Sequence, residues 1–281
     1  MSAPADVGHV RAGVLPAEGS RLRWALTDAA TLTGRYLAHL RHQPAELAGA
    51  IGFPILLVLM FAFLLGGMMA VPGGGDYRQA LLPGLFTMTM LFGLSATMVA
   101  VVTDAQRGIT DRFRSMPMAP SAVLVGRAAA DMVTSAITLG ALLLVGLAVG
   151  WRPSGGPAAF VAAVGLLLLL RFALLWVGIY LGLLVRSPGA VTAVQTLEFP
   201  FGFLSGLFVA PATMPLVVGA VAEWNPLSST AAATRALFGN PGWGGDSWVA
   251  QHPVLMAVVW PLVIVAVFAP LSVHRYREMS R

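Results

Sequence analysis

The chain has 281 residues, 57% of them hydrophobic and 10% charged, and a mean hydropathy of +0.80. A soluble domain covers itself with roughly a quarter or more of charged residues, so this composition excludes a water-facing globule and points to an integral membrane protein. All 17 basic residues are arginine and there is no cysteine, which excludes disulfides, thiolate metal centres and any ATPase site built on a P-loop, since that loop needs a lysine.

Residues 1–20, rich in Ala, Gly and Pro and without an apolar run, read as a disordered cytoplasmic tail and not a cleaved signal. Residues 21–46 mix arginines with Leu22, Trp24, Leu26, Leu32, Tyr36, Leu37 and Leu40. They are too polar to cross a bilayer and too apolar for open water, which predicts an interfacial elbow helix along the membrane; the plainer reading is a helix packed on a partner. A hydrocarbon core of about 30 Å takes about 20 residues of helix. Stretches over 47–69, 79–103, 121–150, 158–185, 189–210 and 253–273 meet that length, so the expected fold is all-α and polytopic, with six transmembrane helices. Pro54, Pro83 and Pro200 fall inside these spans, where neighbouring helices can satisfy the freed backbone groups.

Between the last two spans the pattern changes. PLVVGAVAEW, residues 215–224, is apolar but too short to cross. Asn225-Pro226 then supplies an N-cap and a proline at the first helical position, SSTAAATRALF follows as a helix, and Gly239 offers a C-cap. Two short helices broken at Asn225-Pro226 are expected over 211–240. They either form an outer re-entrant hairpin, marked by Pro215, Asn225, Pro226 and Arg235, or rest on the outer surface. Residues 274–281 make a second short tail.

Arginine placement sets the orientation. With the N-terminus inside, the cytoplasmic side holds Arg11, Arg21, Arg23, Arg35, Arg41, Arg107, Arg112, Arg114, Arg127, Arg186, Arg275, Arg277 and Arg281, against Arg78, Arg152 and Arg235 outside. The positive-inside rule then places both termini in the cytoplasm of a multi-pass protein. The basic excess is thus a matter of topology, not of nucleic-acid binding.

Two groups of charges stand out from the apolar background. The first is the cytoplasmic loop over 104–120, where Asp104, Arg107, Gly108, Asp111, Arg112, Phe113, Arg114, Met116 and Pro117 combine charge with apolar knobs. Such a segment suits docking into a partner, with anchors surrounded by orienting charges; alternatively its arginines only hold the loop inside. The second is Arg171, deep in the span LLLLLRFALL. At ~1.5 Å per residue it lies about 21 Å from the cytoplasmic end of its span, with Asp131 at about 15 Å and Glu198 at about 14 Å in theirs. A charge at that depth needs protein or water around it, so Arg171 is expected to pair with one of these acids, either as a structural ion pair or as a polar contact lining a path or a dimer seam. His39, His42 and Glu46 could share a face of the elbow, but interfacial histidines are commoner than ligands and no metal is expected. Neither a Gly-x-Ser-x-Gly elbow nor a His-Glu-x-x-His helix occurs, which leaves a membrane enzyme nothing to work with.

The stretch from Asp76 to Arg127 resembles the hallmark of type-2 ABC exporter permeases, in their daunorubicin/doxorubicin-resistance branch. The matching residues are Leu82-Pro83-Gly84, Asp104, Gly108, Asp111 to Ser115, Pro117 and Gly126-Arg127. A second block holds Phe199-Pro200, Ser205-Gly206, Pro211, Met214-Pro215, Asn225-Pro226 and Arg235. The likeness runs from Arg21 to the last span, over a transmembrane domain of 21–273, and departs from many members at Ile109-Thr110. It implies that the 104–120 loop is a coupling helix seated in a separate ATPase subunit. It further implies a dimer with a second permease copy or a paralogue in the plasma membrane. The chain itself would bind no cofactor, with ATP and magnesium on the partner, and the cargo would be hydrophobic or amphiphilic. The alternative is a secondary carrier or channel that needs no ATP, although such carriers usually set several acids near midplane.

Overall fold

The structure is a computed structural model that describes residues 33–34, 44–65, 76–108, 120–185 and 187–279. Among these residues every regular element is helical. Helix α1 (Pro44–Met60) runs on into a π turn at Phe61–Leu65. Then come α2 (Tyr77–Gln106), α3 (Pro120–Ala148), α4 (Gly156–Leu184) and α5 (Pro188–Phe203). After a 3-10 turn the chain forms α6 (Leu216–Trp224), α7 (Pro226–Phe238), the short α8 (Trp248–Gln251) and α9 (Pro253–Glu278).

Four of these helices, α2, α3, α4 and α9, are long and apolar enough to cross a membrane. The first expected span is a shorter apolar helix, Ala48–Leu64. The fifth differs from expectation: helix was expected over 189–210, but α5 stops at Phe203 and the chain turns from Leu204 onward. Pro200 and the small residues Gly202, Ser205 and Gly206 do not sustain a helix, and the turn gains other partners. The amide of Gly206 donates to Ser228 Oγ at 2.8 Å, and Asn225 Nδ2 donates to the carbonyls of Phe201 at 3.3 Å and Leu204 at 3.1 Å.

Of the four long helices, α2 is the most buried and α9 the least. Two glycines on α4, one turn apart, let α2 come close. A Cβ at Gly178 would sit 2.5 Å from the Leu94 carbonyl oxygen, and one at Gly182 would lie 2.8 Å from Val101 Cβ. Small residues at this spacing let two backbones pack tightly where hydrocarbon provides no hydrophobic drive. At the end remote from the 107–119 segment, Trp151 is fully buried, edge-on to Phe86 at 5.2 Å and to Phe238 at 4.9 Å. Its Nε1 donates to Asn240 Oδ1 at 2.8 Å, and Ser154 donates its amide to the Phe238 carbonyl at 2.7 Å. The start of α2, the α3–α4 turn and the end of α7 are therefore knitted into one cap.

Candidate functional site

The loop expected over 104–120 begins later than the sequence suggests. Helix α2 continues to Gln106, so Asp104 sits in its last turn; Arg107 closes the helix and Gly108 turns away with φ of 67°. A positive φ there favours glycine. Asp111, Arg112, Phe113, Arg114, Met116 and Pro117 lie outside the described residues. So do all of the elbow's side chains except those of Thr33 and Gly34. Thr33 donates its hydroxyl to the Gly126 carbonyl at 3.2 Å, which places that point of the elbow beside the start of α3. The side chains of His39, His42 and Glu46 are likewise not described. Among the described residues no cluster of three or more His, Asp or Glu could hold a metal.

Arg171 is buried, and the expected direct pair with Asp131 or Glu198 is not what surrounds it. Its Nε donates to Ser135 Oγ at 2.8 Å and its Nη2 to Thr97 Oγ1 at 2.7 Å, while Nη1 has no hydrogen-bond partner among the described residues. Thr97 in turn donates to Asp131 Oδ2 at 2.8 Å, so the link to Asp131 passes through a hydroxyl. Asp131 has its own cation: Arg127 Nε lies 3.1 Å from Oδ1, four residues back on α3. Arg127 also donates to Asp104 Oδ2 at 3.3 Å, across to α2.

Glu198 belongs to a different group. Its carboxylate accepts from the amide and the hydroxyl of Ser95, each at 2.8 Å. Residues two apart on a helix point about 200° apart, so Ser95 and Thr97 leave α2 on opposite sides. Arg171 and Glu198 therefore flank α2 and do not meet across it. Depth along the span follows from counting residues; direction around the helix does not.

Of the four residues marked in the 211–240 region, Asn225 and Arg235 meet the turn after α5, while Pro215 and Pro226 start the two short helices beside it. Pro215 precedes α6 and its carbonyl accepts from the Gly219 amide at 2.8 Å. Asn225 Oδ1 caps α7 by accepting from the Leu227 amide at 2.9 Å, Pro226 occupies the first helical position, and Gly239 closes α7 with φ of 68°. Arg235, expected to be part of the hairpin and on the outer side, is 1% exposed within the fold. Nε donates to the Ala80 carbonyl at 2.7 Å, Nη1 to that of Gly206 at 2.9 Å, and Nη2 to that of Leu207. The guanidinium also lies 4.9 Å from the centre of the Trp243 ring. Pro83 has no amide to offer the carbonyl one turn back, which loosens α2 beside the Ala80 carbonyl that Arg235 takes. A Cβ at Gly84 would run into the Leu207 carbonyl, so the Leu82-Pro83-Gly84 run is part of the same joint.

The residues that sequence reasoning missed are Ser95, Thr97 and Ser135, whose hydroxyls carry no signal in an apolar helix. Arg127 stood in the resemblance without a role, although its four-residue spacing from Asp131 is the ordinary mark of a helical ion pair.

Two comparisons with known proteins agree on what such a chain is similar to. The family profile described as ABC-2 type transporter matches residues 27–238. A curated relative, the "Daunorubicin resistance ABC transporter permease protein DrrB1" of Streptomyces coeruleorubidus, is 32% identical over 266 residues, covering 93% of this chain and 91% of that protein.

Proposed function

The chain belongs to the ABC-2 type transporter family, and on that footing we propose that it is the membrane-spanning permease of an ATP-driven exporter. A separate ATPase subunit supplies the work, because a chain without lysine has no P-loop of its own. The feature that carries the reading is the charged run over 104–117, which in the sequence lies between two apolar helices, α2 and α3. Asp104, Arg107, Gly108, Asp111, Arg112, Phe113, Arg114, Met116 and Pro117 form the surface that docks into the ATPase, with Phe113 and Met116 as apolar anchors and the arginines fixing orientation.

Two permease subunits, identical or paralogous, work in the plasma membrane with both termini in the cytoplasm. Helix α1 with its π turn and α5 complete a set of six crossings, and α6 and α7 dip in from the outer face as a hairpin bolted down by Arg235. ATP binding closes the motor and shifts the permease between inward- and outward-open states. The cargo is a hydrophobic or amphiphilic molecule, drug-like or lipid, in keeping with the relative named for daunorubicin resistance. A carrier driven by ions would need free acids near midplane; here Asp131 is engaged by Arg127 and Thr97, and Glu198 by Ser95.

The test is to co-express the permease with an ABC ATPase subunit, reconstitute the complex and measure ATP hydrolysis with and without daunorubicin as probe. Hydrolysis that depends on the permease and rises with the probe supports the proposal. An ATPase that neither binds the permease nor changes its turnover would remove it.

A further inference from the structure

The 107–119 segment joins α2 to α3, and the polar groups of those two helices stand in register above it. Lowest is Arg127 on α3, which donates to Asp104 on α2 at 3.3 Å. One turn higher, Asp131 pairs with Arg127 at 3.1 Å and accepts from Thr97 of α2 at 2.8 Å. Another turn up, Arg171 of α4 donates to Thr97 at 2.7 Å and to Ser135 of α3 at 2.8 Å. The intervals are one turn from Arg127 to Asp131, one from Asp131 to Ser135, and two from Thr97 to Asp104, so each helix contributes one continuous stripe. Signs alternate along the column, from Asp104 through Arg127 and Asp131 to Arg171, so its charges compensate one another. The close approach of α4 to α2 at Gly178 and Gly182 belongs to the same contact. So does Gly93, over which the Arg171 guanidinium lies: a Cβ there would meet Nε at 2.5 Å.

We propose that this column is the strut that carries the ATPase stroke from the loop into the middle of the membrane, and that Thr97 is its positioning residue. The inference rests on the exporter reading. Apolar helix faces can slide on one another with little loss, because one hydrocarbon contact replaces another. A column of oriented, charged hydrogen bonds cannot, because sliding strands its groups where no water replaces them. The column thus makes α2, α3 and α4 a single body from the loop upward. Thr97 is where the three helices join, accepting from α4 and donating to α3 through one hydroxyl. Helix α5 is attached differently. It packs on the opposite flank of α2, tied by Ser95 and Glu198, and leaves Leu197, Phe199, Phe201 and Phe203 exposed. Movement of the three-helix body therefore reaches α5 through α2.

The cysteine-free chain allows a direct test in the full permease–ATPase complex. Leu197→Cys on α5 serves as reporter, and its rate of reaction with a small maleimide is compared without nucleotide and with ATP trapped by vanadate. In an otherwise wild-type chain the two rates should differ. Thr97→Val, which keeps the shape and removes the hydroxyl, should bind the ATPase and hydrolyse ATP at the basal rate yet lose that difference; Thr97→Ser should keep it. Asp131→Asn, a second variant of unchanged size, should lose it as well. A full nucleotide-dependent difference in both Thr97→Val and Asp131→Asn would overturn the proposal. So would loss of ATPase binding in Thr97→Val, since the hydroxyl would then only maintain the fold. No difference in the wild-type background, with no ATPase bound, would remove the exporter reading and this proposal together.

Discussion

Replacing Arg171 by leucine separates a relayed network from a direct ion pair. The substitution removes two hydrogen bonds, to Ser135 at 2.8 Å and Thr97 at 2.7 Å, each worth about 1.5–3 kcal/mol where one partner is charged. Neither hydroxyl is stranded by the loss. Thr97 still donates to Asp131 and Ser135 still donates to the Asp131 carbonyl at 2.7 Å, and the variant no longer buries a guanidinium. Asp131 keeps Arg127 at 3.1 Å. The net destabilisation should therefore be about 1–3 kcal/mol, below the ~3–5 kcal/mol typical of breaking one side of a buried direct pair. The second-site variants discriminate more sharply. Adding Asp131→Leu takes the carboxylate from Arg127, so the double variant should be less stable than Arg171→Leu alone. Adding Glu198→Leu should act independently, with additive cost, because Glu198 lies on the other flank of α2. Thermal unfolding in nanodiscs of the wild type, these three variants and Glu198→Leu alone supplies the comparison. Recovery of the wild-type midpoint in either double variant would show a direct pair and refute the network.

Three other expectations can be checked alongside. Arg235→Leu takes donors from the carbonyls of Ala80, Gly206 and Leu207 at one joint and should cost about 3–5 kcal/mol; Arg235→Lys keeps the charge but not the fork, and its unfolding midpoint should fall between the two. Gly93→Ala should destabilise by about 1–3 kcal/mol in the same assay, against the ~1 kcal/mol that alanine gains as a helix former, because its Cβ lands on the Arg171 guanidinium; a neutral result would mean the guanidinium is free to move aside. A cysteine at Gly244 should react with an impermeant maleimide on intact cells and one at Ser115 only after permeabilisation, and the reverse pattern would invert the topology.

How far the sequence could be read depended on which coordinate mattered. Hydropathy along the chain located α2, α3, α4 and α9, since crossing a hydrocarbon layer is a demand on length. Capping was equally legible at Asn225-Pro226 and Gly239, because those residues act on backbone within a few positions of themselves. The end of α5 was not, since Pro200 is tolerated inside a membrane helix and only the partners waiting for the turn at 204–206 decide where it stops. The surroundings of Arg171 were hidden for a related reason. Depth follows from counting residues, but the choice between Asp131 and Glu198 depended on which flank of α2 each faces, and the relay used Thr97 and Ser135, indistinguishable in sequence from other hydroxyls in apolar helices. Arg235 shows another limit of sequence reading. Counting arginines treats each as a marker of the aqueous side, whereas this one is a buried bolt satisfied by main-chain carbonyls.

The central claim is that the 104–117 segment delivers an ATPase's work to this permease, and reversing its charge tests that most directly. Arg112→Glu combined with Arg114→Glu should leave the protein at normal levels in the membrane with an unchanged unfolding midpoint. In a co-expression pull-down followed by transport measurement in vesicles, the double variant should lose the ATPase, or retain it without ATP-driven export. Full ATPase retention together with full export by the double variant would contradict the account.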